Sequence, residues 1–217
     1  NIKRFHFTES TGVDYPGEAA GNVLDFDNWA KITGYNVSFG QGIAVTPLQM
    51  AVAYGGIATG RIMRPHLLKE VRNVDGEVVV SFTPEVVATP EVTQEDLELV
   101  RDALNGVSVE NASVAKSFRE AGVDPATMCC KTGTAEVAGQ NDYAWFACYG
   151  PKDDPRYVVT CVVEQGGGGA DSASPLGAHA MGAALAYDAG TLTEMGFVPG
   201  FSGQSVEVAV TSGGRTD

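Results

Sequence analysis

The segment Lys131-Thr132-Gly133-Thr134 carries the side chains best suited to bind or activate a substrate. An ammonium group and two hydroxyls on one strand can bind an anion such as a carboxylate. The glycine lets another backbone lie against the strand, and an extended peptide can add to a strand edge. Lys-Thr-Gly also occurs by chance, so the alternative interpretation is an exposed strand with a solvated lysine.

The four cysteines do not have the paired C-x-x-C spacing of a structural zinc site, and we expect no metal there. They are Cys129, Cys130, Cys148 and Cys161. Free, packed thiols are the favoured interpretation. Any disulfide should join Cys130 to Cys148, because a turn centred near Gly139 places these two residues opposite each other on adjacent strands.

The histidines and the glycine-rich run do not indicate a cofactor site. His6, His66 and His179 lie far apart in the sequence, so each is interpreted as a surface or packing residue. No Lys-Ser or Lys-Thr follows the glycine run 166–169, as a phosphate-binding loop would require, and we interpret the run as a flexible turn. The sequence therefore predicts no cofactor and no metal.

Length and charge limit the classes of partner. The chain has 217 residues, 44% of them hydrophobic, which is enough for one globular unit. Its 27 acidic residues exceed the 14 basic ones, and the formal net charge of -13 argues against nucleic acid or anionic lipid as a partner. The start at Asn1, without a signal peptide or an initiator methionine, is interpreted as a cut within a longer protein.

Two helices and a hairpin are predicted in the first half of the chain, after an irregular segment over residues 1–46. Thr46, Pro47 and Gln49 form a helix start with a capping box, and this helix should end near residue 59 or 60. Asp75-Gly76 predicts a hairpin between the strand-like runs 67–74 and 77–82. A second helix should begin after Thr93 and end near Gly106 or shortly after.

The second half of the chain predicts the sheet that carries the Lys-Thr-Gly segment. Strands are expected over residues 128–137, 143–150 and 156–164, and their short polar links favour an antiparallel meander. Ser174-Pro175 should open an alanine-rich helix that lies on this sheet and ends near Tyr187. The predicted fold class is α/β of the α+β type, with an antiparallel sheet and packed helices. The alternation of Val206, Val208 and Val210 suggests a further regular segment.

Several motifs in this order resemble the monofunctional class B penicillin-binding proteins, the transpeptidases of cell elongation and division. The resemblance runs from about residue 5 to residue 188. It is carried by residues 11–18 (TGVDYPGE), 38–42 (SFGQG), 45–51 (VTPLQMA), 131–136 (KTGTAE), 144–146 (AWF) and 154–157 (DPRY).

The resemblance implies a partial penicillin-binding, serine-β-lactamase-like transpeptidase fold over residues 1–190. From the residues themselves we expect the tail, 191–217, to be partly disordered. The resemblance also implies a peptidoglycan D,D-transpeptidase in which a serine attacks the D-Ala-D-Ala end of a stem peptide and which binds β-lactam antibiotics. Lys131 would support the proton shuttle, and Thr134 would supply an oxyanion N–H. Thr132, Gly133 and Thr134 would bind the substrate.

The resemblance further implies partners and a location. The rest of the same protein and the cell-wall synthesis machinery would be partners, and the chain would belong to the extracytoplasmic part of a membrane-anchored protein.

The nucleophile motif of that family is absent from its expected place. Ser-x-x-Lys and Ser-x-Asn should both precede Thr11, and no Ser-x-Asn occurs in the chain. Ser113-Val114-Ala115-Lys116 has the first spacing, but it follows the Thr46 helix, so we interpret it as a coincidental match. The chain alone is therefore predicted to be inactive. Two alternatives are a β-lactamase or β-lactam sensor of the same fold, and a non-catalytic binding module.

Overall fold

The computed structural model describes residues 2–191, so the predicted tail beyond Thr191, with Val206, Val208 and Val210, lies outside the described residues. The helices are α1 (Thr33–Ser38), α2 (Pro47–Thr59), α3 (Gln94–Glu110), α4 (Ala112–Glu120) and α5 (Ser174–Asp188). The strands are β1 (Asn22–Val23), β2 (Ile43–Ala44), β3 (Ile62–Arg64), β4 (Glu70–Arg72), β5 (Val78–Ser81), β6 (Glu85–Ala88), β7 (Cys129–Ala135), β8 (Tyr143–Gly150) and β9 (Tyr157–Val163). Within this range, no helix combines the length and the hydrophobicity needed to cross a membrane.

Strands β7, β8 and β9 form the main sheet, in that order and antiparallel throughout. The predicted meander is therefore confirmed, with strands slightly shorter than expected. Cys130 lies opposite Cys148, as the sequence predicted, and Gly133 lies opposite Trp145. Among residues 2–191 no strand pairs with the outer edge of β7 or of β9.

Helices cover both faces of this sheet, which explains why β8 is almost entirely buried. Helix α5 packs on β8 and β9 from one side, and this confirms the predicted cover by the last helix. The core on that side contains Cys130, Phe146, Cys148, Ala178 and Met181. Helix α2 packs from the other side, where the core contains Tyr54, Ala58, Cys129, Ala147 and Tyr149.

Helix α2 begins and ends as its sequence predicts. The Thr46 hydroxyl accepts a hydrogen bond from Gln49 N, and Gln49 Oε1 accepts one from Thr46 N, which completes the capping box. Gly60 ends the helix with a φ of 73°, a conformation that glycine adopts without steric cost. Gln49 is only 2% exposed, and its amide donates to Glu9 O at 2.7 Å and Ala20 O at 2.8 Å.

Helix α3 is followed directly by α4, a helix that was not predicted from the sequence. Thr93 caps α3, and the helix continues through Gly106 to Glu110, in line with an end shortly after Gly106. Asn111 then caps α4, because its side chain accepts a hydrogen bond from Val114 N at 3.2 Å.

The predicted hairpin is confirmed as β4 and β5, with Gly76 at a φ of 82° in its turn. Asn73 organises the turn, since its side-chain oxygen accepts from Asp75 N and Glu77 N. A second antiparallel pair, β3 with β6, was not predicted.

The first 46 residues are mostly irregular, as predicted, although they include α1 and the short pair β1 with β2. Two carboxylates hold this segment in place. Asp14 accepts from Leu67 N and Leu68 N, and these bonds lower its pKa. Burial alone would raise the pKa of Glu18. Its carboxylate, however, accepts hydrogen bonds from the hydroxyl and the N–H of Thr11 and from other backbone N–H groups, and together these bonds lower the pKa.

Replacing Gly177 by alanine should destabilise the chain, because an added Cβ would overlap the Phe146 ring at the interface of α5 and β8. Overpacking of this kind costs about 1–3 kcal/mol of unfolding free energy. Gly106→Ala is the matched control, since it adds the same methyl group to a helix with open space around it. It should raise stability by up to about 1 kcal/mol. Urea unfolding measures both variants, and equal effects would contradict the packing of α5 on β8.

Replacing Gln49 by glutamate should also destabilise the chain. The substitution keeps the shape of the side chain but replaces its NH₂ group by a carboxylate oxygen. This oxygen would face two carbonyl oxygens that accept hydrogen bonds from the Gln49 amide in the native chain. We expect a loss of about 2 kcal/mol or more, since each unsatisfied buried polar group costs about 1–3 kcal/mol. The same change at exposed Gln94, the first residue of α3, should be neutral or slightly stabilising. Equal losses in urea unfolding would show that Gln49 does not anchor the first segment.

Candidate active-site strand

Strand β7 presents the Lys-Thr-Gly segment at one edge of the main sheet. Lys131 and Thr134 are exposed, whereas Thr132 and Gly133 are half-buried. Because side chains alternate along a strand, Lys131 lies on the α2 side of the sheet, and both threonines lie on the α5 side. The structure therefore brings the four predicted site residues together on one strand with a free edge.

The Lys131 ammonium is available to bind an anion. Its Nζ donates a hydrogen bond to the neighbouring Thr132 O at 2.6 Å. Among residues 2–191 no carboxylate forms an ion pair with it. The bond to Thr132 also shows that this carbonyl is turned to an exposed side of the strand, away from the ladder with β8.

Gly169 packs directly on the backbone of this strand. A Cβ at Gly169 would overlap Gly133 O and Trp145 O and would lie 3.0 Å from Gly133 N. Gly169 is buried, and it opens a π-helical turn, Gly169–Ala173, that leads into α5. The glycine run was predicted to be a flexible turn, and its packing on β7 was not predicted, although the run itself was the available signal.

Helix α3 holds the beginning of β7. The Asn105 amide donates to Ala126 O at 2.9 Å and to Met128 O at 2.7 Å. The Ser108 hydroxyl donates to Cys130 Sγ at 3.1 Å in a fully buried position. These polar residues were missed because nothing in the sequence distinguishes them from ordinary polar positions of a surface helix.

The cysteines are free thiols in the structure. Burial raises the pKa of Cys130 to about 11 and raises that of Cys148 well above its ordinary value. Both groups are therefore protonated at neutral pH. Within residues 2–191 no group of three or more histidine, cysteine or acidic side chains is arranged to hold a metal ion.

The Ser-x-x-Lys sequence in α4 does not form a site with β7. Ser113 is exposed, and its carbonyl accepts a hydrogen bond from Ser117 Oγ at 3.0 Å. Lys116 Nζ lies 3.7 Å from a Glu120 carboxylate oxygen, so this carboxylate is the charge partner of Lys116. Helix α4 packs chiefly against α3, α5 and the two short turns beside them. These contacts support the interpretation of Ser113 as a coincidental match.

The hollow next to this helix is also separate from the candidate site. Its volume is 590 Å³, and residues at the end of α4 and along α5, such as Gly122, His179 and Ala186, line it. No residue of β7 contributes to its walls. The candidate site residues therefore lie outside this hollow, on an open strand edge.

Comparison with known proteins agrees with this geometry. Residues 1–182 match the family model described as the penicillin-binding protein transpeptidase domain. The chain is 30% identical over 209 residues to the peptidoglycan D,D-transpeptidase MrdA of Haemophilus influenzae, covering 83% of this chain and 31% of that protein. It is 33% identical over 187 residues to the peptidoglycan D,D-transpeptidase FtsI of Escherichia coli, covering 81% of this chain and 29% of that protein. The chain thus spans about a third of the length of these relatives.

Solved structures give the same result. Penicillin-binding protein 3 of Mycobacterium tuberculosis, complexed with ampicillin, superposes with a TM-score of 0.66 at 28% identity, over 87% of this chain and 45% of that chain. Penicillin-binding protein PBP2 of Helicobacter pylori, in its complex with MreC, superposes with a TM-score of 0.67 at 27% identity, over 87% of this chain and 35% of that chain. The fold is therefore that of the penicillin-binding transpeptidase domain, and the chain belongs to the class B penicillin-binding proteins.

Proposed function

We propose that this chain supplies the substrate-binding strand of a peptidoglycan D,D-transpeptidase, which cross-links stem peptides by serine acyl transfer. In this proposal residues 1–190 are the C-terminal portion of the transpeptidase domain. The observation that carries the proposal is the position of residues 131–134 on an edge strand, with an exposed ammonium group beside a free backbone edge. The relatives named as D,D-transpeptidases support the reaction class.

The backbone of β7 is suited to bind both an extended peptide and an oxyanion. N–H and C=O groups of residues i and i+2 point to the same side of a strand. Since Thr132 O accepts from Lys131 Nζ on the exposed side, the Thr134 N–H points to that side as well. There it would donate to the oxyanion that forms when the D-Ala carbonyl is attacked.

The side chains of the same strand would hold the substrate. The Thr132 and Thr134 hydroxyls would bind the terminal carboxylate, and Lys131 would add positive charge and support the proton shuttle. Gly133 would leave room for the substrate backbone, because it places no side chain between strand and ligand. β-Lactams carry a carbonyl and a carboxylate, so the same groups would bind them.

The nucleophile would come from another part of the same protein. Ser113 is exposed and Lys116 pairs with Glu120, so this serine has no activating base from its own motif. The chain spans about a third of the relatives' length, which leaves room for a serine motif in the remainder. The complete protein would be anchored in the membrane, with this domain outside the cytoplasm.

Other proteins of cell-wall synthesis are the proposed partners of the complete protein. The Helicobacter pylori structure contains a penicillin-binding protein with MreC, which supports this class of partner. A β-lactamase or a sensor is less favoured, because the curated relatives are named as transpeptidases or penicillin-binding proteins.

The 217-residue chain alone should form no stable covalent adduct with a penicillin, whereas the complete protein should form one. Without an activated serine, the oxyanion donor and the binding groups alone supply little catalysis. Intact-mass analysis after incubation with a fluorescent penicillin measures this directly.

A Ser113→Ala variant of the same chain is the control. An adduct on the unmodified chain that disappears in this variant would identify Ser113 as the nucleophile. That result would contradict the proposed assignment of the motifs.

In the complete protein, Thr134→Val should slow acylation by penicillin by about ten- to a hundredfold. A hydrogen bond to a charged group is worth about 1.5–3 kcal/mol, and about 1.4 kcal/mol corresponds to a factor of ten. The second-order acylation rate constant is the measurement. Thr83→Val, an exposed threonine between β5 and β6, should leave this rate unchanged. Equal rates in the two variants would show that the Thr134 hydroxyl does not bind the ligand, since the backbone N–H is unchanged by the substitution.

A further inference from the structure

We propose that Cys130 and Cys148 form a cross-strand disulfide in an oxidising environment, which joins the strand of Lys131 to its neighbour. The two residues are direct partners in the antiparallel ladder between β7 and β8. Both side chains are fully buried on the α5 side of the sheet. This inference concerns the cysteine pair itself and does not depend on the proposed reaction.

The hydrogen-bond pattern of the ladder makes Cys130 and Cys148 a non-hydrogen-bonded pair, the class of antiparallel pair with the shorter distance between Cα atoms. The pair of Gly133 and Trp145 is a hydrogen-bonded one, because Gly169 lies against three of its backbone atoms at once: Gly133 N, Gly133 O and Trp145 O. These atoms face each other across the ladder only in a hydrogen-bonded pair. Thr132 O is instead turned to an exposed side, where Lys131 donates to it. Hydrogen-bonded and non-hydrogen-bonded pairs alternate along the ladder. The pair of Thr132 is therefore non-hydrogen-bonded, and so is the pair of Cys130 and Cys148, two residues further along.

In that class the Cα atoms lie about 4.5 Å apart and the side chains lie closer together than in a hydrogen-bonded pair. A disulfide needs Cα atoms about 4.4–6.8 Å apart. The expected spacing of Cys130 and Cys148 therefore falls within this range, and the bond requires no change of register.

The other two cysteines are placed differently. Cys129 faces the α2 side of the sheet, where it lies opposite Tyr149. Cys161 lies on β9, where its partner on β8 is Phe146. The residue of β9 that lies opposite Cys148 is Val159. Cys129 and Cys161 are thus internal controls, since the backbone offers neither of them a direct cysteine partner.

Formation of the bond removes one hydrogen from each thiol and transfers two electrons to an oxidant. The oxidant is a disulfide, either a small one such as oxidised glutathione or one on an oxidoreductase, and it is reduced to two thiols. A thiolate must attack first, and burial raises the thiol pKa of both residues in the folded chain. The bond should therefore form while the chain folds, before α5 covers the sheet.

The test is to produce the chain in an oxidising and in a reducing bacterial compartment and to denature both samples in an alkylating reagent. Peptide mapping by mass spectrometry should find Cys130 linked to Cys148 in the first sample, with Cys129 and Cys161 alkylated. The reducing compartment should give four alkylated cysteines. The oxidised chain should also unfold at a higher urea concentration without reductant than with it.

Matched variants assign the bond, because Cys129 and Cys130 are adjacent in one peptide. The linked peptide should persist in Cys129→Ser and in Cys161→Ser and should be lost in Cys130→Ser. Four alkylated cysteines in the chain from the oxidising compartment would overturn the proposal. A bond that includes Cys161 would overturn it equally, and both of these results come from the unsubstituted chain, so they do not depend on any variant folding. A linked peptide that is lost in Cys129→Ser and kept in Cys130→Ser would show that Cys129 forms the bond, and this result would also overturn the proposal.

Discussion

Burial of strand β8 between helices α2 and α5 is the constraint from which the geometry of the site follows. Because both faces of the sheet are covered, a shift of β8 by one residue would exchange the side chains of its two faces. Phe146 would then move toward α2, and Tyr149 would face α5. The cost of this exchange fixes the register of β7 on β8, and the register places Lys131 and Thr134 on opposite faces of one edge.

Close approaches at two glycines transmit this constraint to the Lys-Thr-Gly segment. Gly177 brings α5 against the Phe146 ring, and Gly169 brings the preceding turn against Gly133 and Trp145. At each position a side chain would push the two elements apart. The position of the candidate site thus depends on these close contacts behind it as well as on the residues that would touch a ligand.

The sequence predicted those parts of the fold that local interactions determine. The capping box of Thr46 and Gln49 and the turn at Gly76 depend on neighbouring residues, so their patterns could be recognised directly. The pairing of Cys130 with Cys148 could be predicted from the position of one turn, the turn near Gly139. Helix α4 was missed because Asn111 both ends α3 and caps the next helix, and no break in hydrophobic pattern marks such a junction.

Contacts between distant residues could not be predicted in the same way. The bonds from Asn105 to Met128 and the packing of Gly169 on Gly133 join residues far apart in the chain, and their physical cause is the shape of the assembled core. The four candidate site residues were predicted from a short motif in the sequence, whereas the groups that hold their strand in place were found only in the structure.

The net charge of the chain does not oppose the binding of an anion at β7. The formal charge is -13, yet exposed charges further away than about 8 Å are largely screened at physiological ionic strength. The charge that a bound carboxylate meets is therefore that of the nearest groups, and Lys131 forms no ion pair within residues 2–191. A lysine without an ion pair does not have to give up a salt bridge when an anion binds. Local placement on the strand edge, rather than overall composition, thus determines which ligand this surface can hold.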